Sequence, residues 1–117
     1  MNSLSELQWK KRILIVGLSE NIDETIALLK ANANEIEERN IVWFIFGPQF
    51  VSSNLDRIDD KLADSAASHL KNSRTRSETV LIGKDGSEKA RFESLDLNSI
   101  FALIDSMPMR RKEMGLE

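Results

Sequence analysis

Residues 12–48 read RILIVGLSENIDETIALLKANANEIEERNIVWFIFGP, and the succession of patterns in this stretch decides the fold. Arg12 to Ser19 is a run of aliphatic and β-branched residues with a charged start, the pattern of a strand buried on both faces. In the segment that follows, Ile22, Ile26, Leu29, Ala33 and Ile36 recur at helical spacing and line one face of a helix. Asn21 and Glu24 have the form of an N-cap and its reciprocal partner, and Asp23 and Glu24 suit the positive end of the helix dipole. A second apolar run, Ile41 to Phe46, is closed by Gly47-Pro48, because proline brings no ladder donor. A strand, a helix and a strand in that order predict a right-handed crossover and two parallel strands.

Downstream the period changes. Residues 52–73, SSNLDRIDDKLADSAASHLKNS, put Leu55, Ile58, Leu62, Ala66 and His69 or Leu70 on one side, predicting a second helix weakened by its Ser and Asp content. In residues 78–95, ETVLIGKDGSEKARFESL, Thr79 to Ile82 is apolar, Lys84-Asp85-Gly86 is turn chemistry, and Ala90 and Phe92 alternate with Lys89 and Arg91. That is an antiparallel hairpin with one half-exposed strand. Leu97, Ile100, Phe101, Ile104 and Met107 then recur at helical spacing, with Ser94 or Asp96 as cap. The order β-α-β-α-β-β-α predicts an α/β, thioredoxin-like three-layer sandwich around a four-stranded mixed sheet of order 2-1-3-4. One domain is expected over residues 7–114, with residues 1–6 and 115–117 as flexible termini and Leu116-Glu117 read as a cloning scar.

Bulk composition removes several function classes. At 117 residues, with 41% apolar and 30% charged residues, the chain has the make-up of one folded domain rather than a disordered one. Sixteen Lys and Arg against nineteen Asp and Glu leave a net charge of −3, which offers no positive field for a phosphate backbone, so no nucleic-acid partner is expected. There is no cysteine, hence no disulfide, thiolate nucleophile or Cys-ligated zinc, and the single histidine, His69, argues against a multi-His metal site. The apolar runs fall far short of the ~20 residues that cross a bilayer, so no transmembrane segment is expected and the chain reads as soluble.

Three further stretches carry a resemblance: LQWKKRILIV (7–16), ETVLIGKDGSEKARF (78–92) and IFALIDSMPMRRKEM (100–114). Together they resemble DUF4174, a family of unknown function that includes bacterial proteins and vertebrate extracellular proteins with sushi repeats. The resemblance implies a thioredoxin-like fold related in shape to peroxiredoxins, without an established activity. Many members are exported, which leaves the compartment open and an exported or periplasmic precursor compatible with the sequence. The catalytic relatives hold their reactive cysteine just after the first strand and a cis-proline just before the third. The corresponding residues here are Ser19-Glu20-Asn21-Ile22 and Ser77. Both halves of the redox site are missing, so neither a thiol oxidoreductase nor a peroxidase is expected.

The leading expectation is a non-catalytic binding module for an unknown protein or small-molecule ligand, with no cofactor, no metal and weak self-association left open. Its alternative is a thiol-independent enzyme or small-anion-binding protein, in which Ser19, Asn21, Arg74, Arg76 and Ser77 form an anion site at the first helix N-terminus. The competing structural reading pairs those arginines with Glu20, Asp23 and Glu24. Lys84 and Asp85 read as turn residues before they read as recognition residues. Trp43, Phe44 and Phe46 read as core, or as a docking edge if their strand is outermost. Trp9 packs over the domain end with a wet indole N–H, His69 is structural, and EIEER is a solvated helix face. In IDSMPMRRKEM (104–114), Pro108 should stop or bend the helix, Ser106 caps a last turn, and Arg110 and Arg111 reach carboxylates either of this domain or of another chain. The first is expected.

Overall fold

The computed structural model describes residues 3–18, 20–48, 50–71 and 77–115. Five strands, β1 (Arg12–Gly17), β2 (Ile41–Phe46), β3 (Val51–Ser53), β4 (Glu78–Ile82) and β5 (Glu88–Phe92), form one sheet of order β3-β2-β1-β4-β5. All six residues of β1 are buried, as its uninterrupted apolar run requires of a central strand. It pairs in parallel with β2 and antiparallel with β4. The four expected strands stand in their expected order, and β3 is an addition. Gly47-Pro48 turns the chain back on itself instead of releasing it: the Gly47 N–H donates to the Phe50 carbonyl at 2.9 Å, and Val51–Ser53 pairs with the end of β2.

That hairpin overturns two expectations. Ser52 and Ser53 are strand residues rather than the start of a helix, and β2 is not outermost, so its aromatic residues do not form a docking edge. Asn54 holds the arrangement by accepting the Trp43 N–H at 2.9 Å and donating to the Ile41 carbonyl at 3.0 Å, completing the ladder where β3 ends. Trp43 and Phe44 are buried, and Phe46 stacks on Phe44 with ring centroids 6.5 Å apart.

The predicted first helix is two, α1 (Ile22–Ala31) and α2 (Ala33–Glu38), interrupted at Asn32, whose side chain donates to the Leu28 carbonyl. Asn21 precedes α1 in the left-handed conformation, φ 57°, and its side chain makes no cap bond, contrary to the capping-box expectation. Helix α3 (Asp60–Ala67) is shorter than its apolar pattern, starting where Asp59 accepts the Leu62 N–H at 2.8 Å. Helix α4 (Leu97–Asp105) is capped by Asp96. Pro108 then opens a further helix, α5 (Pro108–Glu113), because its fixed φ and missing N–H suit a first helical turn. Met107, not Ser106, occupies the N-cap of α5; the Ser106 hydroxyl instead donates back to the Leu103 carbonyl.

Strand alternation divides the core in two. Leu14, Val16, Trp43, Ile45 and Leu81 meet α1, α2 and α4 on one face, while Ile13, Ile15, Val42, Phe44 and Val80 meet α3 on the other. The second face is also covered by a 3-10 turn at Leu4–Leu7, in which Leu4 and Leu7 are buried, so the packed chain begins before Leu7. Among the described residues no helix is long and apolar enough to cross a membrane.

Candidate functional site

The two ends of the sheet carry different chemistry. Gly17 lies opposite Glu78 at one end of the sheet. Asn21 and Ser77 belong to this end; Ser19, Arg74 and Arg76 lie outside the described residues. Asn21 is exposed, and its carbonyl accepts both the N–H and the hydroxyl of Thr25. The Ser77 hydroxyl donates to the Glu93 carbonyl. Among the described residues the buried charged group here is a carboxylate: Glu78, 4% exposed, accepts the Lys71 N–H at 2.7 Å and pairs with Arg91. Arg91 also holds Glu88, which meets His69 Nδ1 at 2.9 Å. The hydrogen bond from His69, aided by Arg91 and opposed by burial, holds the Glu88 carboxyl below its ordinary range. His69 is thus tied into a structural pair beside α3.

At the opposite end Ile13 faces Ile82, which sets the β4–β5 turn beside Arg12. Four cations are buried here: Arg12, Arg39, Lys84 and Arg110. Arg12 opens β1, Arg39 follows α2, Lys84 stands in the β4–β5 turn and Arg110 lies within α5, and the head of each meets a carboxylate of another element. Arg12 donates from both terminal nitrogens to Glu113, each at 3.1 Å, and to the Arg39 carbonyl at 2.9 Å. The Lys84 ammonium meets the same carboxylate at 2.6 Å. Burial pushes the Glu113 carboxyl up, but hydrogen bonds from Arg12 and Lys84 outweigh it and hold it below its ordinary value.

Arg39 binds Asp105 with Nε and Nη2, at 3.0 and 2.8 Å, a bidentate fork, while Nη1 reaches Glu35 at 2.9 Å. Its guanidinium lies 4.5 Å from the centroid of Phe101. Arg110 donates to the other side of the site, to Asp105 at 3.1 Å and to the backbone and carboxylate of Glu38 at 3.1 and 3.2 Å. Hydrogen bonding from Arg39 first, then Arg110, lowers the Asp105 carboxyl against the effect of burial. The cluster therefore fastens α5 and the end of α4 to α2 and β1. Arg110 reaches carboxylates of its own chain, and Arg111 is half-buried with interactions of its own.

Around this end the surface is indented on both sides of the turn. A cavity of about 290 Å³ lies between the turn and the start of α5, lined by Arg12, Lys84, Lys89, Met107, Pro108 and Met109 together with Asp85. A second, of about 240 Å³, lies on the α3 side, with Leu4, Gln8, Lys11, Ser65 and His69 among its walls. The turn itself is locked. Asp85 accepts from the Ser87 N–H and hydroxyl and pairs with Lys89 at 2.8 Å; with Lys89 foremost, these bonds lower its pKa to about 2. Gly86 has φ +86°, and a Cβ there would come within 3.1 Å of Gln8, whose amide donates to the Asp85 carbonyl. Trp9 joins the turn through its backbone N–H, which donates to the Lys84 carbonyl, but the residue is 63% exposed and does not pack over the domain end as expected.

The sequence model of the family described as "Domain of unknown function (DUF4174)" matches residues 3–113. The chain belongs to the DUF4174 family. No curated protein sequence matches it. Among solved structures, the DUF4174 chain is similar to one titled "Crystal Structure of Plasmodium vivax 2-Cys Peroxiredoxin, Reduced", with a TM-score of 0.58 and 16% identity over 93% of this chain and 84% of that one. At that identity the likeness is one of fold. That protein's name carries two cysteines, whereas the DUF4174 chain has none, and the residues that follow β1 and precede β4 supply no thiol.

Arg12, Arg39, Asp105 and Glu113 were not singled out as site residues by sequence reasoning. For Arg12 a signal existed, since it opens a strand whose every residue reads as buried. Arg39 and Glu113 gave none: each looks like an ordinary charged helix end until the partner element is known.

Proposed function

We propose that this DUF4174 chain is a non-catalytic thioredoxin-like binding module without redox activity, whose ligand engages the Arg12 end of the sheet. One observation carries the reading: the fold is that of a peroxiredoxin, yet the chain contains no cysteine. A scaffold that lacks the reacting atom can still bind, because binding needs only a shaped surface with satisfied polar walls. The charge-fastened turn and α5 offer such a surface, held by bonds that span distant parts of the chain.

Two measurements on one preparation test this. Hydroperoxide consumption and insulin-disulfide reduction should run no faster than in buffer. A panel of small acids, bases, sugars and neutral apolar compounds should contain a class that raises Tm, since a ligand at one hundred times its Kd stabilises by about 2.7 kcal/mol. Turnover in either redox assay, or a panel that moves Tm nowhere, would overturn the reading.

A further inference from the structure

We infer that the 290 Å³ cavity between the β4–β5 turn and the start of α5 is a site for a small amphipathic carboxylate, an aryl or short aliphatic acid. The inference rests on the binding-module reading and names its ligand class. Charge is the first observation. Arg12 is 1% exposed and Lys84 9% exposed, both line the cavity, and both share the single carboxylate of Glu113. Among the described residues the Lys84 ammonium makes one side-chain hydrogen bond, to Glu113, which leaves two further donors for a ligand in the cavity to meet. Lys89 and Asp85 cancel each other. The lining cations Arg12, Lys84 and Lys89 therefore carry one positive charge more than Asp85 in the lining and Glu113 behind it neutralise, in a place where an uncompensated charge is costly.

The opposite wall supplies the second observation. Met107, Pro108 and Met109 present unbranched thioethers and a ring, and Met109 remains 39% exposed although it is a large apolar side chain. Methionine walls adapt to irregular apolar shapes. An inorganic anion would answer the cations and leave this wall wet, and a neutral apolar compound would do the reverse. A carboxylate on an apolar body answers both. The volume lies at the lower edge of the ~300–1,000 Å³ typical of ligand pockets, which limits the body to one ring or a short chain.

Calorimetric titration of the full chain with 3-phenylpropionate, 3-phenylpropan-1-ol and inorganic phosphate tests the assignment. The acid should bind with a Kd on the order of 1 mM, the range open to so small a ligand. The alcohol and phosphate should each bind at least about tenfold more weakly, as expected for loss of a charge-assisted bond or of the apolar contact. Lys89→Gln, at a partly exposed side chain, should weaken the acid several-fold, and Asp85→Asn, whose amide oxygen still accepts from Ser87 and so keeps the turn, should tighten it. Met109→Ala should weaken acid and alcohol alike. Equal affinity for acid and alcohol, phosphate competing as well as the acid, or acid binding unmoved by all three substitutions would overturn the site and leave the module reading standing. Turnover of the acid would overturn both.

Discussion

Replacing Glu113 by Gln removes the carboxylate that the buried cations Arg12 and Lys84 share and that Arg110 approaches to 3.8 Å. Its Oε1 accepts from Arg12 at 3.1 Å, and its Oε2 accepts from Arg12 at 3.1 Å and from Lys84 at 2.6 Å. With its oxygen at the Oε2 position the glutamine amide keeps an acceptor for Lys84 and one Arg12 nitrogen, and it turns an N–H₂ toward the other Arg12 nitrogen. Stripping one partner from a fully buried pair costs about 3–5 kcal/mol. The Glu113 side chain is 24% exposed, so water recovers part of that and about 2–3 kcal/mol remains. For a chain of this length each kcal/mol lowers Tm by about 4 °C, which predicts a fall of about 8–12 °C. Urea titration followed by circular dichroism should give the same loss with an unchanged slope. Adding Lys84→Met to Glu113→Gln should recover stability, with a coupling energy of about 1 kcal/mol or more. A loss below about 0.5 kcal/mol, the size of a surface substitution, would refute the argument that this carboxylate neutralises buried charge.

Arg110→Ala should cost about 3 kcal/mol in the same titration, because Asp105 and the Glu38 carbonyl lose a 3%-exposed partner. Asp105 and Glu113 are both held below their ordinary values of 3.8 and 4.5, so they bind fewer protons folded than unfolded. Their contribution is present above those values and is lost as pH falls through the lower folded ones. Tm should therefore hold between about pH 7 and 5 and drop below about pH 4.5, and the double variant Asp105→Asn, Glu113→Gln should show a shallower acid drop. Asp96→Ala, which removes the cap on α4 from the Ser99 N–H, should cost about 1 kcal/mol in thermal unfolding.

What could be read from the sequence depended on local pattern. The buried strands, the crossover and the LIGKDG turn announce themselves through periodicity and turn chemistry, so the order of four strands follows from residues 12–48 and 78–95. The fifth strand did not, because Val51–Ser53 is three residues long and exists through its pairing with β2 and the Asn54 clamp, neither of which leaves a periodic trace. The charged end shows the same division. Lys84, Asp85 and Arg110 stood out as charges beside turns and a proline, and Asp85 finds its partners nearby in Ser87 and Lys89, but Lys84 meets Glu113 and Arg110 meets Glu38 across 29 and 72 residues. Glu113 is 101 residues from Arg12, and nothing in either neighbourhood names the other. The break of the first helix at Asn32 and the left-handed Asn21 likewise come from side-chain to backbone competition that the apolar stripe hides.

A single amide correlation spectrum recorded while 3-phenylpropionate is added tests the central proposal most directly, because both ends of the sheet report at once. Shifts confined to Gly83–Lys89 and Met107–Met109, with Asn21 and Ser77 unmoved, are the expected result. Shifts gathered around Asn21 and Ser77, or none at either end, would contradict the placement of binding at the end opposite the lost redox residues.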